Sequence, residues 1–188
     1  MGANTLTLIC VVAAIAFFGV VIGIYNQLVS KKNQAKNSWA QIEVQLKRRY
    51  DLIPNLMETV KGYMEHERAT LEAVVKARQI AMNGQVDAKS QANAENILTA
   101  TLKTLFAVAE NYPDLKANQN FLALQEELAT TENKISFARQ YYNDCVMQYN
   151  TAKEIFPSNL IAEMFNFPDF QMFEIENSEE RQAPKVKF

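Results

Sequence analysis

The sequence predicts an all-α protein in which an N-terminal transmembrane helix continues into an antiparallel, up-and-down four-helix bundle. Three observations lead to this prediction. The first 30 residues carry no charged side chain. Apolar residues recur at alternating three- and four-residue steps along most of the remaining chain, which is the spacing of one helical face. Glycine and proline number only five each among 188 residues, so little interrupts the helices.

The apolar segment at residues 6–25 has the length of a membrane span. Its sequence, LTLICVVAAIAFFGVVIGIY, covers roughly 30 Å as a helix, the thickness of the hydrocarbon core of a bilayer. A cleaved signal peptide has a basic start, a shorter apolar stretch and small residues at its cleavage site, and this segment does not fit that pattern. We therefore expect the span to be retained. The alternative, cleavage, would give a secreted or periplasmic bundle.

The positions of the lysines predict the orientation of the span. No Lys or Arg precedes it, whereas Lys31, Lys32 and Lys36 follow it closely. Positively charged flanks tend to stay in the cytoplasm. Residues 1–5 are therefore predicted to lie outside, and the body of the protein on the cytoplasmic side of the membrane. The three lysines either attract anionic lipid headgroups as well or only set the topology.

Two glycines within the span form a candidate contact between copies of the chain. Gly19 and Gly23 are four residues apart, a small-xxx-small spacing that lets two membrane helices approach closely. Chance is the alternative reading, because glycine is common in membrane helices. The spacing therefore suggests, without requiring, a homo-oligomer.

Helical periodicity divides the body of the protein, residues 26–173, into helices. The predicted helices cover residues 26–50, 54–82, 87–112 and 118–156, with a short final helix at 159–165. The most regular apolar seam runs from Phe121 to Phe156 and has the spacing of a coiled coil. Short connections make successive helices antiparallel neighbours. The last residues, 174–188, are predicted to form a polar tail.

The stretch LKRRYDLIPNL places a proline inside an otherwise helical region. Proline is tolerated in the first turn of a helix and disfavoured inside one, so the second helix is predicted to begin at proline 54. The chain would then turn a corner just before it. This corner is either purely structural or a partner-binding site, and its candidate residues are Arg48, Arg49, Asp51, Pro54 and Asn55.

Arg49 also lies on the apolar stripe of the first predicted helix, together with Ile42 and Leu46. That position directs it toward the bundle interior, where an arginine requires a carboxylate partner. A buried polar layer that fixes helix register is therefore predicted. Its candidate members are Arg49, Glu67, Arg78, Glu132 and Arg139.

Several long segments, taken together, resemble the LemA family. They are YNQLV, SWAQIEVQLKRRYDLIPNL, VKGYMEHE, VVKAR, ENYPDLKANQNFLALQEELATTENKI, FARQYYNDCVMQYN, and FPSNLIAEMFNF with the ending PKVKF. The resemblance covers essentially the whole chain. One departure is Asn166, where the family pattern would place glycine before the aromatic Phe167.

The resemblance implies a single-pass bacterial membrane protein with a short outer N-terminus and a cytoplasmic antiparallel helical bundle. It brings no established catalytic activity that could be assigned to particular residues. Relatives associated with magnetosome membranes imply membrane organisation as a theme.

The residue inventory offers little for an enzyme. His66 is the one histidine, which excludes a multi-histidine metal centre, and no Gly-rich phosphate loop or zinc-ligand spacing occurs. Cys145 lies on the apolar seam, where a thiol is usually inert. A net charge of −2 provides no basic field for nucleic acid. The sequence therefore predicts no catalytic residues, no metal and no cofactor.

The function that these observations favour is that of a scaffold or assembly factor anchored in a membrane. Its predicted partners are the lipid bilayer, copies of itself, and an unidentified membrane or cytoplasmic protein. The alternative is a membrane-tethered adaptor that relays signals from a partner membrane protein, because an outer segment of about five residues is too short to form a sensor domain.

Overall fold

The computed structural model describes residues 2–83 and 87–173, and these residues form helices and connecting turns without a strand. The helices are α1 (Gly2–Lys61), α2 (Arg68–Asn83), α3 (Ala88–Ala109), α4 (Pro113–Lys116), α5 (Gln119–Glu154) and α6 (Ser158–Met164). The predicted all-α class and the long apolar N-terminal helix are confirmed. The predicted polar tail, residues 174–188, lies outside the described residues.

The chain divides into two compact units, and α1 and α5 each contribute to both. Unit 1 contains the described residues of 1–39 and 141–170, and unit 2 contains those of 40–140 and 171–188. The single bundle over residues 26–173 stays a prediction. The helices differ in length: α2 and α3 have 16 and 22 residues, whereas α1 and α5 have 60 and 36.

Unit 1 is formed by the first part of α1, the last part of α5, and α6. Residues 4–20 of α1 are exposed along their whole length, and α1 is the one helix in the described part of the chain that is long and apolar enough to cross a membrane. Further along, Trp39 packs edge-on against Tyr142 with ring centroids 5.2 Å apart. The apolar core of this unit consists of Leu28, Tyr149, Ala152, Ile161, Ala162 and Phe167.

Helix α6 ends in a Schellman motif centred on Asn166, which has a φ of 50°. The Phe167 amide donates to the Ala162 carbonyl at 3.0 Å, and the Asn166 amide donates to the Glu163 carbonyl at 3.1 Å. Asparagine adopts this left-handed conformation more readily than other non-glycine residues. Asn166 therefore takes the place that glycine usually has in this motif, and Phe167 folds back into the core of unit 1.

Unit 2 packs the remainder of α1 and α5 with α2, α3 and α4. Two side-chain caps fix helix starts: Asp87 Oδ1 accepts from the Ser90 amide at 2.8 Å to begin α3, and Asn118 Oδ1 accepts from the Asn120 amide at 2.9 Å to begin α5. Phe106 of α3 packs edge-on against Phe121 of α5. The short α4 occupies the predicted loop, because Pro113 suits the first turn of a helix.

The predicted corner at residues 48–55 is wrong, because α1 continues through Pro54 to Lys61. Proline lacks the N–H that would bond to the carbonyl four residues earlier, that of Tyr50. Arg78 Nε of α2 donates to this carbonyl oxygen at 2.8 Å instead. The buried side chains Ile53, Leu56 and Val60 also continue the inward stripe of α1 past the proline.

The turn that follows α1 lies at residues 62–67, and Met64 anchors it with a fully buried side chain. The second helix predicted over 54–82 is accordingly shared between the end of α1 and α2. Helices α3, α5 and α6 differ from their predicted ranges by at most three residues at either end.

Candidate functional site

The candidate site is a cluster of polar side chains inside unit 2, built around Arg49 of α1. The Arg49 side chain is buried, and its Nη1 lies 2.9 Å from Glu132 of α5 and 3.1 Å from Glu95 of α3. Its Nη2 donates to Thr99 Oγ1 at 2.8 Å. One guanidinium therefore connects three helices through two carboxylates and a hydroxyl.

Glu95 is fully buried, with 0% of its surface exposed. Its second oxygen accepts hydrogen bonds from the Tyr50 hydroxyl and, at 3.1 Å, from the Gln91 amide. Gln91 Nε2 also donates to the Ala81 carbonyl at 3.2 Å, which brings α2 into the cluster. The carboxylate of Glu95 therefore has partners at both oxygens, as a buried charge requires.

Burial shifts the titration of this cluster. Desolvation raises the pKa of the Glu95 carboxyl, although the Tyr50 hydrogen bond and the Arg49 charge act in the opposite direction. Burial and the neighbouring Glu95 charge raise the pKa of Tyr50 far above its usual value. The Tyr50 hydroxyl therefore stays protonated and remains a hydrogen-bond donor.

Arg139 of α5 is the second buried arginine near the cluster. Its guanidinium carbon lies 4.5 Å from the centroid of the Phe173 ring, a cation–π contact. Burial lowers its pKa, and the charges of Glu132 and Glu95 raise it. Its Nε and Nη2 make no hydrogen bond to the described residues. The ring of Phe173 thus covers one face of this buried cation, on which the charges of Glu132 and Glu95 also act.

A cavity of about 250 Å³ adjoins the cluster. Arg49, Thr99 and Glu132 contribute its polar wall, and Leu102, Phe106 and Leu128 are among its apolar lining. Of the ion-paired groups of the cluster, Arg49 and Glu132 reach this cavity, and Lys103 adds a second cation to its lining. Within residues 2–83 and 87–173, no group of three or more His, Cys, Asp or Glu side chains is placed to hold a metal ion.

The structure brings together part of the predicted polar layer. Arg49 and Glu132 form an ion pair, and Arg139 lies within their electrostatic influence. Arg78 instead binds the Tyr50 carbonyl at the edge of the cluster. Glu67 is placed elsewhere, in the turn after α1, where it accepts from the Tyr112 hydroxyl at 3.1 Å.

The other predicted site residues lie on helix surfaces. Arg48 forms an exposed ion pair of 2.6 Å with Glu127 of α5. Asp51, Pro54 and Asn55 are exposed along α1, so they cap no helix end. Gly19 and Gly23, the predicted contact between copies, are exposed in the part of α1 that belongs to unit 1.

Sequence reasoning missed Tyr50, Gln91, Glu95 and Thr99. A signal for two of them was present: Glu95 precedes Leu98 by three residues, and Gln91 precedes Glu95 by four, so both continue the inward stripe of α3. An acidic side chain on an apolar stripe is the counterpart that an inward arginine requires.

The comparison with protein families agrees with the segments quoted above. The model of the LemA family matches residues 38–188. The chain belongs to the LemA family. The matched region begins after the apolar part of α1 and includes every residue of the polar cluster.

Curated relatives match most of this chain. Protein LemA of Metamycoplasma hominis is 28% identical over 163 residues, which cover 85% of this chain and 74% of the relative. Magnetosome proteins MamQ 1 and MamQ 2 of Paramagnetospirillum magneticum are each 22% identical over 196 residues, covering 91% of this chain and 72% of the relative.

Proposed function

We propose that this LemA family chain is a membrane-anchored scaffold without a catalytic role. The observation that carries the proposal is the exposed apolar surface of α1 at residues 4–20. The same helix continues beyond this segment and contributes to unit 1 and to unit 2. Leaving that much apolar surface in water is unfavourable by about 25 cal/mol per Å². A bilayer removes this cost, and the length of the segment suits one.

The charges that follow the span support an outer N-terminus and a cytoplasmic body in a bacterial inner membrane. Lys31, Lys32 and Lys36 lie on α1 within about three turns of its last apolar turn. Cations at this position favour the cytoplasmic face, where anionic headgroups also attract them.

The polar cluster supports a positioning role better than a catalytic one. Its charges pair with one another, and register between helices is the best attested use of buried ion pairs. Neither residue that could act as a nucleophile or base belongs to the cluster: Cys145 is buried in unit 1, and His66 is exposed in the turn after α1. The naming of two relatives as magnetosome proteins supports an organising role.

The anchor is tested by the mass of the intact protein recovered from membranes. We expect the full-length mass and resistance to alkaline extraction, because a spanning helix is held by its apolar surface rather than by charge. Recovery of a chain shortened by the first apolar segment would overturn the anchor and favour a secreted or periplasmic protein.

Self-association is tested at Gly19 and Gly23. A Cβ added at either glycine would meet nothing within 4 Å, so Gly19→Ile with Gly23→Ile leaves the single chain undisturbed. Helical period places Ala14 on the opposite face, which makes Ala14→Ile the matched control. We expect light scattering of the detergent-solubilised full-length chain to show an oligomer that the double glycine variant loses and the Ala14 variant keeps.

Two results would count against this form of the proposal. An oligomer unchanged in the double glycine variant would move the contact between copies to the helical body. A monomer at every concentration would overturn scaffolding by self-association and favour the adaptor for a partner membrane protein.

A further inference from the structure

Helix α6 packs against α1 at the end of the apolar segment. Val21 and Ile24, two apolar residues in the last turn of the span before Tyr25, contact the core cluster of unit 1. That cluster includes Ile161 and Ala162 of α6. Because Val21 belongs to the segment that would lie in the bilayer, the elements packed on it lie at the level where α1 leaves the membrane.

The outward surface of α6 is apolar on one side and polar on the other. Leu160 and Met164 are one helical turn apart and are 56% and 72% exposed. Asn159 and Glu163, also one turn apart, form the polar edge. With Ile161 and Ala162 directed into the core, α6 has a buried side, an apolar exposed side and a polar exposed side.

Exposed aromatic residues flank α6 at both of its ends. Phe156, just before the helix, is 80% exposed, and Phe165 at its end is exposed beside Tyr25 with ring centroids 4.8 Å apart. Several large apolar side chains exposed within a short segment are typical of an interaction site. Aromatic rings at the end of a span are typical of the boundary between acyl chains and headgroups.

A cation lies at the same boundary. Lys32 Nζ is 5.6 Å from the centroid of the Phe167 ring, which belongs to the core cluster that α6 completes. Apolar side chains next to a lysine match the two layers of a membrane interface, acyl chains and anionic headgroups. This combination, and the continuity of the apolar surface with the span, identify lipid as the occupant rather than a second copy of the chain.

We infer that residues 155–165 form a second membrane contact, in which α6 lies in the interface and inserts Phe156, Leu160, Met164 and Phe165 among lipid acyl chains beside α1. The inference rests on the proposed function, because it requires α1 to be a membrane span. An interfacial helix buries its apolar side by about 5–10 Å, which is three to seven residues of rise along α1. Val21 to Leu28, the stretch against which the cluster packs, spans that distance.

The test uses tryptophan emission in the full-length chain, in vesicles of phosphatidylcholine and phosphatidylglycerol. A fraction of the phosphatidylcholine carries bromine near the headgroup end of its acyl chains, where it quenches nearby indole rings. Trp39, the one native tryptophan, is replaced by phenylalanine. Leu160→Trp and Met164→Trp report on the apolar side of α6, and both positions are exposed, so neither change disturbs the core.

Two further positions make the result decisive. Ile22→Trp reports on the span, and Asn159→Trp reports on the polar edge of the same short helix. We expect quenching at positions 160 and 164 comparable with that at position 22, and much weaker quenching at position 159. Quenching at position 22 alone would overturn the interfacial contact and leave the anchor standing.

The remaining outcomes are also distinguishable. Absence of quenching at position 22 would overturn the proposed anchor itself. Emission at positions 160 and 164 that shifts to the blue with protein concentration, without bromine quenching, would overturn the lipid contact and assign this surface to a second copy of the chain.

Discussion

The Nε of Arg78 donates a hydrogen bond of 2.8 Å to the carbonyl oxygen of Tyr50. This is the oxygen that Pro54, four residues later, leaves without its helical partner. A side chain of α2 thus supplies the bond that the backbone of α1 lacks. The bond lies one residue from Arg49, so the continuity of α1 and the polar cluster depend on the same helix neighbour.

Arg78→Ala should lower the free energy of unfolding by about 1–3 kcal/mol, because it leaves the Tyr50 carbonyl unsatisfied. Pro54→Ala restores a backbone N–H to the same oxygen, so Arg78→Ala should cost much less in that background. Denaturant unfolding of the four proteins in detergent, followed by circular dichroism, measures the coupling.

Arg68→Ala is the matched control for this cycle, because Arg68 is an exposed arginine at the start of the same helix. Additive losses for Arg78→Ala and Pro54→Ala would contradict the proposed exchange of one hydrogen-bond donor for another.

Arg49→Ala should destabilise the protein by about 3–5 kcal/mol, because it leaves the buried carboxylate of Glu95 without its cation. Arg48→Ala, at the adjacent position, should cost at most about 1 kcal/mol, because both partners of the Arg48–Glu127 pair are about half exposed. Midpoints of denaturant unfolding compare the two. Equal, small losses would place Arg49 outside the stabilising core.

The raised pKa of Glu95 predicts a decrease in stability with pH. The folded state holds this proton more tightly than the unfolded chain, so the free energy of unfolding falls as pH rises from the ordinary value of 4.5 toward the raised pKa. Glu95→Gln should remove this part of the slope. Unfolding measured at a series of pH values above 4.5 would show it.

Tyr50→Phe should move the same decrease to higher pH. The Tyr50 hydrogen bond lowers the pKa of Glu95, so its loss raises that pKa further. The variant should also lose about 1–3 kcal/mol, because Glu95 loses a donor. A pH profile identical in the wild type, Tyr50→Phe and Glu95→Gln would show that Glu95 does not titrate in this range.

Asn166→Ala should destabilise the end of α6, because the left-handed conformation is unfavourable for alanine by about 1–2 kcal/mol of free energy. Asn166→Gly should be neutral or slightly stabilising at this position. Hydrogen exchange at the Phe167 amide, which bonds to Ala162, reports the change directly. Faster exchange in the glycine variant than in the alanine variant would contradict this account.

Elements governed by local periodicity could be predicted from the sequence. The apolar seam of α5 repeats regularly, and α5 lies within two residues of its predicted range at both ends. The short α6 lies within one residue of its predicted range at both ends. The apolar segment predicted at residues 6–25 is helical throughout, as part of α1. Each of these depends on neighbouring positions along one helix, which a sequence displays directly.

Features that depend on partners far away in the sequence could not be predicted from it. The Tyr50 carbonyl, which Pro54 leaves without its helical partner, accepts a hydrogen bond from Arg78. The spacing of residues along α1 does not predict that Arg78 of α2 is the donor. The inward position of Arg49 could be read from its stripe, but the choice of Glu95 over Glu67 depends on which helices meet. The partners within the polar cluster are therefore determined by tertiary packing and not by local sequence.

The discontinuity of unit 1 along the chain has a consequence for biosynthesis. Leu28 is translated early, whereas Tyr149 and Phe167, which complete the core of unit 1, follow more than about a hundred residues later. At about 5–20 residues per second, the two halves are separated by several seconds. During this interval residues 40–140, the longer segment of unit 2, are synthesised, while the part of α1 that belongs to unit 1 still lacks its partners from α5 and α6.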